Sequence, residues 1–211
     1  MNSTCSRNPV LLIHGIFRKS EVFNNMSNHL TELGWSVYSL NLAPNWGNTS
    51  LEELAQQMAD YIDRNFDPKQ PLDIVGLSMG GLVTRYYLQR LSGINRVQRF
   101  ISISSPHNGT WTAYILWGKG CVQIRPGSIF LEDLNGDASV LKNLNFTSIW
   151  TPWDFIIVPA SSSQISAAKE VKLSVFSHAM MARDSRSLKA VAEALSEPLN
   201  TLNQLPNRFL N

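Results

Sequence analysis

A serine hydroxyl becomes a useful nucleophile at neutral pH only when a base can take its proton and a carboxylate fixes that base's tautomer. One stretch of this chain suits such a serine. Gly76-Leu77-Ser78-Met79-Gly80 reads G-x-S-x-G, after the short, mostly apolar run Leu72-Asp73-Ile74-Val75 and before Gly81-Leu82-Val83-Thr84-Arg85-Tyr86-Tyr87-Leu88, whose periodicity is helical. Strand, sharp turn and helix in that order make a nucleophile elbow, with the serine exposed above the end of its strand. Gly76 and Gly80 lack a Cβ, so strand and helix can approach closely. The helix N-terminus behind Ser78 favours developing negative charge.

The partners follow from position. In an open parallel sheet, ligand sites lie at the carboxyl ends of the strands. Asp154 follows a strand ending near Trp150, and His178 follows the last strand, in Phe176-Ser177-His178-Ala179-Met180. Ser78, Asp154 and His178 are therefore the candidate catalytic residues, as nucleophile, orienting carboxylate and base. His29 lies inside a helical pattern and reads as surface, and His14 reads as a structural residue of its turn. His107, after a strand ending at Ser104, is the competing base, but it precedes Asp154. Among carboxylates, Asp73 stands at the start of its strand, on the wrong side of the sheet. Asp60, Asp63 and Asp67 belong to a helix or its end, and Asp133 and Asp137 stay open in a long connection. Two backbone N–H groups must hold the oxyanion. One is that of Met79; the other comes from the loop after the first strand, from Ile16 or, with the turn shifted by one, from Phe17. Phe17, Trp111, Trp117 and Trp153 are the candidate substrate-binding residues, and Trp150 is expected beside Trp153. The run Trp111–Trp117 reads either as a rim or flap meeting acyl chains or a bilayer, or as a short helix packed into the core.

The elements that position these groups alternate. Apolar runs predict strands at 9–13, 35–42, 72–75, 97–104, 146–150 and 171–176. Helices are expected at 20–33, stopped by Gly34; from a capping box at Ser50-Leu51-Glu52-Glu53 to about Phe66; after the elbow; and at 187–195. The apolar face of the second helix is Leu51, Leu54, Ala55, Met58, Ile62 and Tyr61. The fold class is α/β: one domain over 1–211 with a mostly parallel six-stranded sheet, helices on both faces and no large cap. Segments 1–8 and 198–211 read as tails.

Composition excludes several classes. The 211 residues are 44% hydrophobic and 16% charged, which is globular. A net charge of +2 is too small to suggest nucleic acid. No apolar run approaches the roughly 18 residues of a membrane span. The polar Met1–Asn8 and the short Val10–Ile13 do not resemble a secretion signal, so a cytoplasmic protein is expected. Separately, a monomer with peripheral contact at a membrane surface is expected. Sequons such as Asn108-Gly109-Thr110 then read as chance. Cys5 and Cys121 are expected as reduced thiols, although the sequence leaves their pairing open. No histidine or cysteine spacing suggests a metal, and the chemistry needs no cofactor.

The His14-Gly15 turn, Gly-Leu-Ser-Met-Gly-Gly, Ser105-Pro106-His107-Asn108-Gly109, Arg125-Pro126-Gly127-Ser128 and the contexts of Asp154 and His178 together resemble the small bacterial lipases and esterases of the α/β-hydrolase superfamily. The resemblance runs from about Pro9 to Leu195. It implies hydrolysis of carboxylic esters of lipids through an acyl-enzyme. Small-molecule esterase, thioesterase and acyltransferase activities are alternatives on the same three residues, and a non-catalytic binding protein is a remoter one.

Overall fold

The computed structural model describes residues 7–199. Within them, six strands form one sheet in the order β2-β1-β3-β4-β5-β6, and every pairing is parallel. The strands are β1 (Val10–Ile13), β2 (Val37–Leu40), β3 (Leu72–Leu77), β4 (Val97–Ile103), β5 (Asn145–Trp150) and β6 (Lys169–Lys172). All of β1 and β3 is buried, as expected of central strands covered on both faces. Alternation then sends Leu11, Ile13 and Ile74 to one core cluster, and Val10, Leu12, Val75 and Leu77 to the other.

Helices fill both faces. The first cluster receives α2 (Leu51–Asn65), α3 (Met79–Arg90) and α5 (Ile129–Gly136), and the second receives α1 (Asn24–Glu32) and α6 (Ser185–Ser196). A short α4 (Lys119–Gln123) lies between β4 and β5. The predicted face of α2 is buried, with Tyr61 packed at its edge. Ser50 caps α2 by accepting the Glu53 N–H at 3.3 Å. The Glu53 carboxylate accepts the Ser50 hydroxyl at 3.1 Å, which differs from the expected return bond to the Ser50 backbone. Gly34, at φ +92, ends α1: its N–H reaches Thr31 O and the Trp35 N–H reaches Leu30 O, a Schellman closure.

The structure corrects three local expectations. The first helical segment opens as a 3-10 turn, Ser20–Phe23, before α1 begins. The last strand lies earlier than 171–176: it pairs with β5 over Lys169–Lys172, the Leu173 N–H bonds Trp150 O at 2.8 Å, and the chain then turns inward to bury Val175. Its charged composition suits a sheet edge and hides it from any hydrophobic pattern. Finally, the connection between β4 and β5 is more regular than its sequence suggests. Ser128 caps α5, and the buried Arg85 of α3 donates to Leu134 O at 2.7 Å and to Asn135 Oδ1 at 2.9 Å, pinning α5 to α3. Desolvation brings the Arg85 guanidinium down to about 10. Cys121 is a free, buried thiol, and burial raises its pKa; Cys5 lies outside the described residues.

Candidate active site

Ser78 sits between β3 and α3 with φ 55 and ψ −123, a strained backbone for a residue with a side chain. The strain is held in place by packing that admits no side chain. A Cβ on Gly76 would lie 2.8 Å from Gly80 O and Gly81 Cα, and one on Gly80 would overlap the Ile13 carbonyl. The helix is thus pressed directly on β1 and β3. Positive φ also marks Phe17 after β1, Ser104 after β4 and Ser177 before His178. Four of the turns around this end of the sheet carry the same kind of strain, and composition gives no sign of it.

The loop after β1 is built on His14. Its Nδ1 lies 2.9 Å from Gly15 O and its Nε2 accepts the Leu42 N–H at 3.0 Å, an arrangement that a neutral ring satisfies at both nitrogens. Burial lowers its pKa, only partly offset by the Gly15 carbonyl and Glu21. Asn45 completes the frame: its carbonyl accepts the Phe17 N–H at 3.1 Å and its side chain donates to Arg18 O at 2.5 Å. The Phe17 N–H is therefore occupied. Those of Ile16 and Met79 have no hydrogen-bond acceptor among the described residues. Gly15 packs against the serine, since a Cβ there would stand 3.0 Å from Ser78 Cβ. Asn45 was missed from sequence; a buried asparagine in a loop leaves no pattern.

Asp154 and His178 come together. His178 Nδ1 and Asp154 Oδ2 are 2.8 Å apart, while Oδ1 accepts the N–H groups of Ile156 (3.0 Å) and Ile157 (2.9 Å). One oxygen holds the histidine and the other shapes the carboxylate's own turn. Burial pushes the Asp154 pKa up, but the bond from His178, its charge and the two backbone donors outweigh that and leave it below the usual range.

Ser78 and His178 line a common open cleft of about 1390 Å³, with no hydrogen bond formed between them. Gly15, Ile16 and Phe17 form one side of it, and Thr112, Ile115, Leu116, Phe155 and Ile156 another. A smaller apolar cavity of about 50 Å³ adjoins Ser78, bounded by Met79, Ala113, Ile124 and Ile157 among others.

The rivals lie elsewhere. His107 is fully buried with Nε2 2.9 Å from Ser102 Oγ and its ring edge-on to Phe146, and it faces neither cavity. Burial, reinforced by the Arg85 charge, holds its pKa well below the ordinary value. Asp133 and Asp137 are paired with Arg90, and Asp73 is buried against Arg99 and Asn8 near the start of β3. Of the candidate substrate-binding residues only Phe17 lines the cleft. Trp111, Trp117 and Trp153 are solvent-exposed and are not among the residues lining it, and Trp150 is buried in β5. The run Trp111–Trp117 is not packed core: Trp117 is 84% exposed and Ile115 77%, with Ala113 alone in the core. Ile115, Leu116, Phe155 and Ile156, which do line the cleft, were not separable by sequence from ordinary core residues. Among the described residues, no group of three or more His, Cys, Asp or Glu is placed to hold a metal ion, and no helix is long and apolar enough to cross a membrane.

A family model described as palmitoyl protein thioesterase matches residues 9–126. Lysosomal thioesterase PPT2 of Homo sapiens is 32% identical over 120 residues, which are 53% of this chain and 39% of that protein. The protein of the same name from Bos taurus is 32% identical over 117 residues, 52% of this chain and 37% of its own. The match thus spans about two fifths of these relatives' length. Among solved structures, mature lipase BlEst2 of Bacillus licheniformis has a TM-score of 0.75 at 13% identity, covering 90% of this chain and 93% of its own. Lipase B of Aspergillus fumigatus has a TM-score of 0.77 at 20% identity, over 94% of this chain and 55% of its own. The two lipases share the α/β-hydrolase fold with this chain. Because the family match begins before β1, carries through the elbow and takes in more than half of the sequence, the chain belongs to the palmitoyl protein thioesterase family.

Proposed function

We propose that this protein hydrolyses acyl esters of aliphatic acids, thioesters first, through Ser78, His178 and Asp154. The observation that carries the reading is the His178–Asp154 bond on the wall of the same cleft that receives the Ser78 hydroxyl. Ser78 Oγ attacks the acyl carbonyl while His178 Nε2 takes its proton. The ionised Asp154, bonded to Nδ1, holds the ring and stabilises the imidazolium. The N–H groups of Met79 and Ile16 receive the oxyanion. As the tetrahedral carbon collapses, the bond to the leaving sulfur or oxygen breaks and His178 returns the proton to it. Water, deprotonated by the same histidine, then attacks the acyl-serine and releases the acid and free Ser78.

The family match favours a thiol leaving group; the lipase fold neighbours and the apolar cavity beside Ser78 keep lipid oxygen esters as the second reading. The two separate on leaving-group chemistry. A thiol ionises near pH 8.5, so a thiolate departs with little help, whereas an alkoxide needs the His178 proton. The test measures kcat/KM for a thioester and an oxygen ester of the same acyl chain, with intact-mass detection of Ser78 labelling by a fluorophosphonate. The reading expects labelling at Ser78 and a higher kcat/KM for the thioester. Equal or greater efficiency on the oxygen ester would move the assignment to a lipase or esterase. Failure to label Ser78, with no turnover of either, would overturn the hydrolase and leave a binding protein.

A further inference from the structure

The exposed apolar side chains of this protein are not scattered. Among the described residues, all the large ones except Leu33, Tyr38 and Ile129 lie in segments that leave the carboxyl ends of strands: 14–23, 41–50, 104–128, 151–158 and 173–184. Contacts join these segments into a ring around the cleft. Phe17 meets Trp46 with ring centroids 6.1 Å apart, and Gly47 O accepts the Gly120 N–H at 2.9 Å, next to Trp117. The Trp111 N–H bonds Val158 O at 2.9 Å, and Phe155 meets Phe176 at 6.4 Å, close to His178. Soluble monomers seldom leave so much aromatic surface contiguous without a use for it. Tryptophan and tyrosine at a rim suit the boundary between headgroups and acyl chains.

The unpaired charge on the same segments is mostly positive. Arg18, Lys19, Lys119 and Arg183 are exposed and make no ion pair among the described residues. Residues 104–128 contain no carboxylate at all. Elsewhere on the ring Asp154 is buried, Asp184 is bound to Arg186, and Glu21 is the remaining acid. A second copy of the chain docking face to face would set these cations against themselves.

We infer that the carboxyl-end face docks on an anionic lipid bilayer, with Trp46, Trp111 and Trp117 in the headgroup layer, the four cations on lipid phosphates, and the Ser78 cleft opening toward the membrane. This does not rest on the proposed hydrolysis, and its test reads binding alone. The Ser78→Ala protein is floated with vesicles of pure phosphatidylcholine and with vesicles holding about 30% phosphatidylserine, at roughly 0.1 M and 0.5 M salt. Attraction of the four basic side chains to an anionic surface sets the expected preference for the second vesicle at about tenfold or more, shrinking at the higher salt. Trp117→Ser and Lys119→Glu should each lower the bound fraction several-fold while melting at the same temperature as the parent. Tryptophan emission should be quenched by lipids brominated near the headgroup. Equal affinity for both vesicles, or no binding to either, overturns the proposal. So does a concentration-dependent dimer in sedimentation that Trp117→Ser dissolves, which would assign the face to self-association.

Discussion

Two regions meet at Ser78, and they are built by opposite means. The elbow is backbone against backbone: β3 is buried from Leu72 to Leu77, and at Gly76 and Gly80 even a methyl group has no room. The wall facing it, 111–117 with 153–158, is held by side chains reaching for backbone. Thr110 and Thr112 both donate to Ile156 O, at 2.8 and 2.7 Å, and Arg125 donates to Ala113 O and Leu116 O while lying over the Tyr114 ring at 4.7 Å. That wall leaves most of its large apolar groups outside, with Ile157 turned inward. The first construction fixes one atom in space. The second presents an adaptable apolar surface to it. Substitutions in the elbow should therefore strike chemistry or fold outright, and those in the wall should alter what is bound.

The largest effect is expected from Ser78→Ala, which removes the proposed nucleophile and leaves the packing untouched. Turnover of the best substrate should fall at least about ten-thousand-fold while the melting temperature holds or rises, because a strained residue loses only its hydroxyl. Residual activity near the parent's would break the comparison at its root. Next comes Gly80→Ala. The added methyl meets the Ile13 carbonyl, and neither β1 nor α3 can withdraw without opening the sheet. A loss of about 3 kcal/mol is expected, which in a chain this size lowers the melting temperature by roughly 10 °C. A near-neutral Gly80→Ala in a thermal scan would show that helix and sheet are less tightly joined than described.

The same contrast explains what the sequence discloses. Ser78 was legible because its geometry forces glycines around it, and forced glycines make a motif. Asp154 and His178 were legible by position, each following a predicted strand, although the strand before His178 lies some residues earlier than its apolar residues suggest. The wall was not legible. Trp111–Trp117 is an apolar run, and such a run looks alike whether it is buried or faces solvent; what keeps it outside is Arg125 and the Thr110–Ile156 bonds, contacts remote in sequence. The edge strand Lys169–Lys172 escaped because its pairing is by backbone alone. The positive φ at Phe17, Ser104 and Ser177 escaped because no glycine marks it, and Asn45 escaped because a single buried asparagine in a loop leaves no pattern.

A smaller effect separates the buried histidine of the core from the site. His107 has a pKa well below 6.5 in the folded chain, held there by burial and then by Arg85. Above the unfolded value both states carry it neutral and it adds no pH dependence. As pH falls below about 6.5 the unfolded chain takes up a proton that the folded one refuses, so stability is lost, at up to about 1.4 kcal/mol per pH unit for one such group. His14 is shifted in the same direction and adds to the slope. Asp154, shifted down, contributes stability that is lost only at lower pH, beneath its ordinary range near 3.8. Urea unfolding between pH 7 and 5 should show the decline, and His107→Gln should flatten it by about one proton's share while keeping the activity of the parent. Loss of activity with an unchanged slope would instead return His107 to the chemistry.

The smallest expected effect tests the wall by itself. Arg125 touches neither Ser78 nor the cleft; it ties the carbonyls of Ala113 and Leu116 at 3.4 and 3.3 Å and covers Tyr114. Both bonds are long, and the side chain is part-exposed, so Arg125→Ala should cost about 1 kcal/mol or less of stability. Its consequence lies in what it stops holding. Ile115 and Leu116 line the cleft from that segment, and with the tether cut their positions blur. Each acyl methylene gripped there is worth roughly 0.8 kcal/mol, so slackening the grip on two or three of them should lower kcat/KM for long acyl chains about tenfold or more. Acetyl substrates, too short to reach the segment, should keep the parent's rate. Arg125→Lys restores the charge but not the planar fork over the ring, and should recover only part of the loss. A uniform drop across chain lengths would mean that the wall supports the nucleophile after all, and that the two constructions are one.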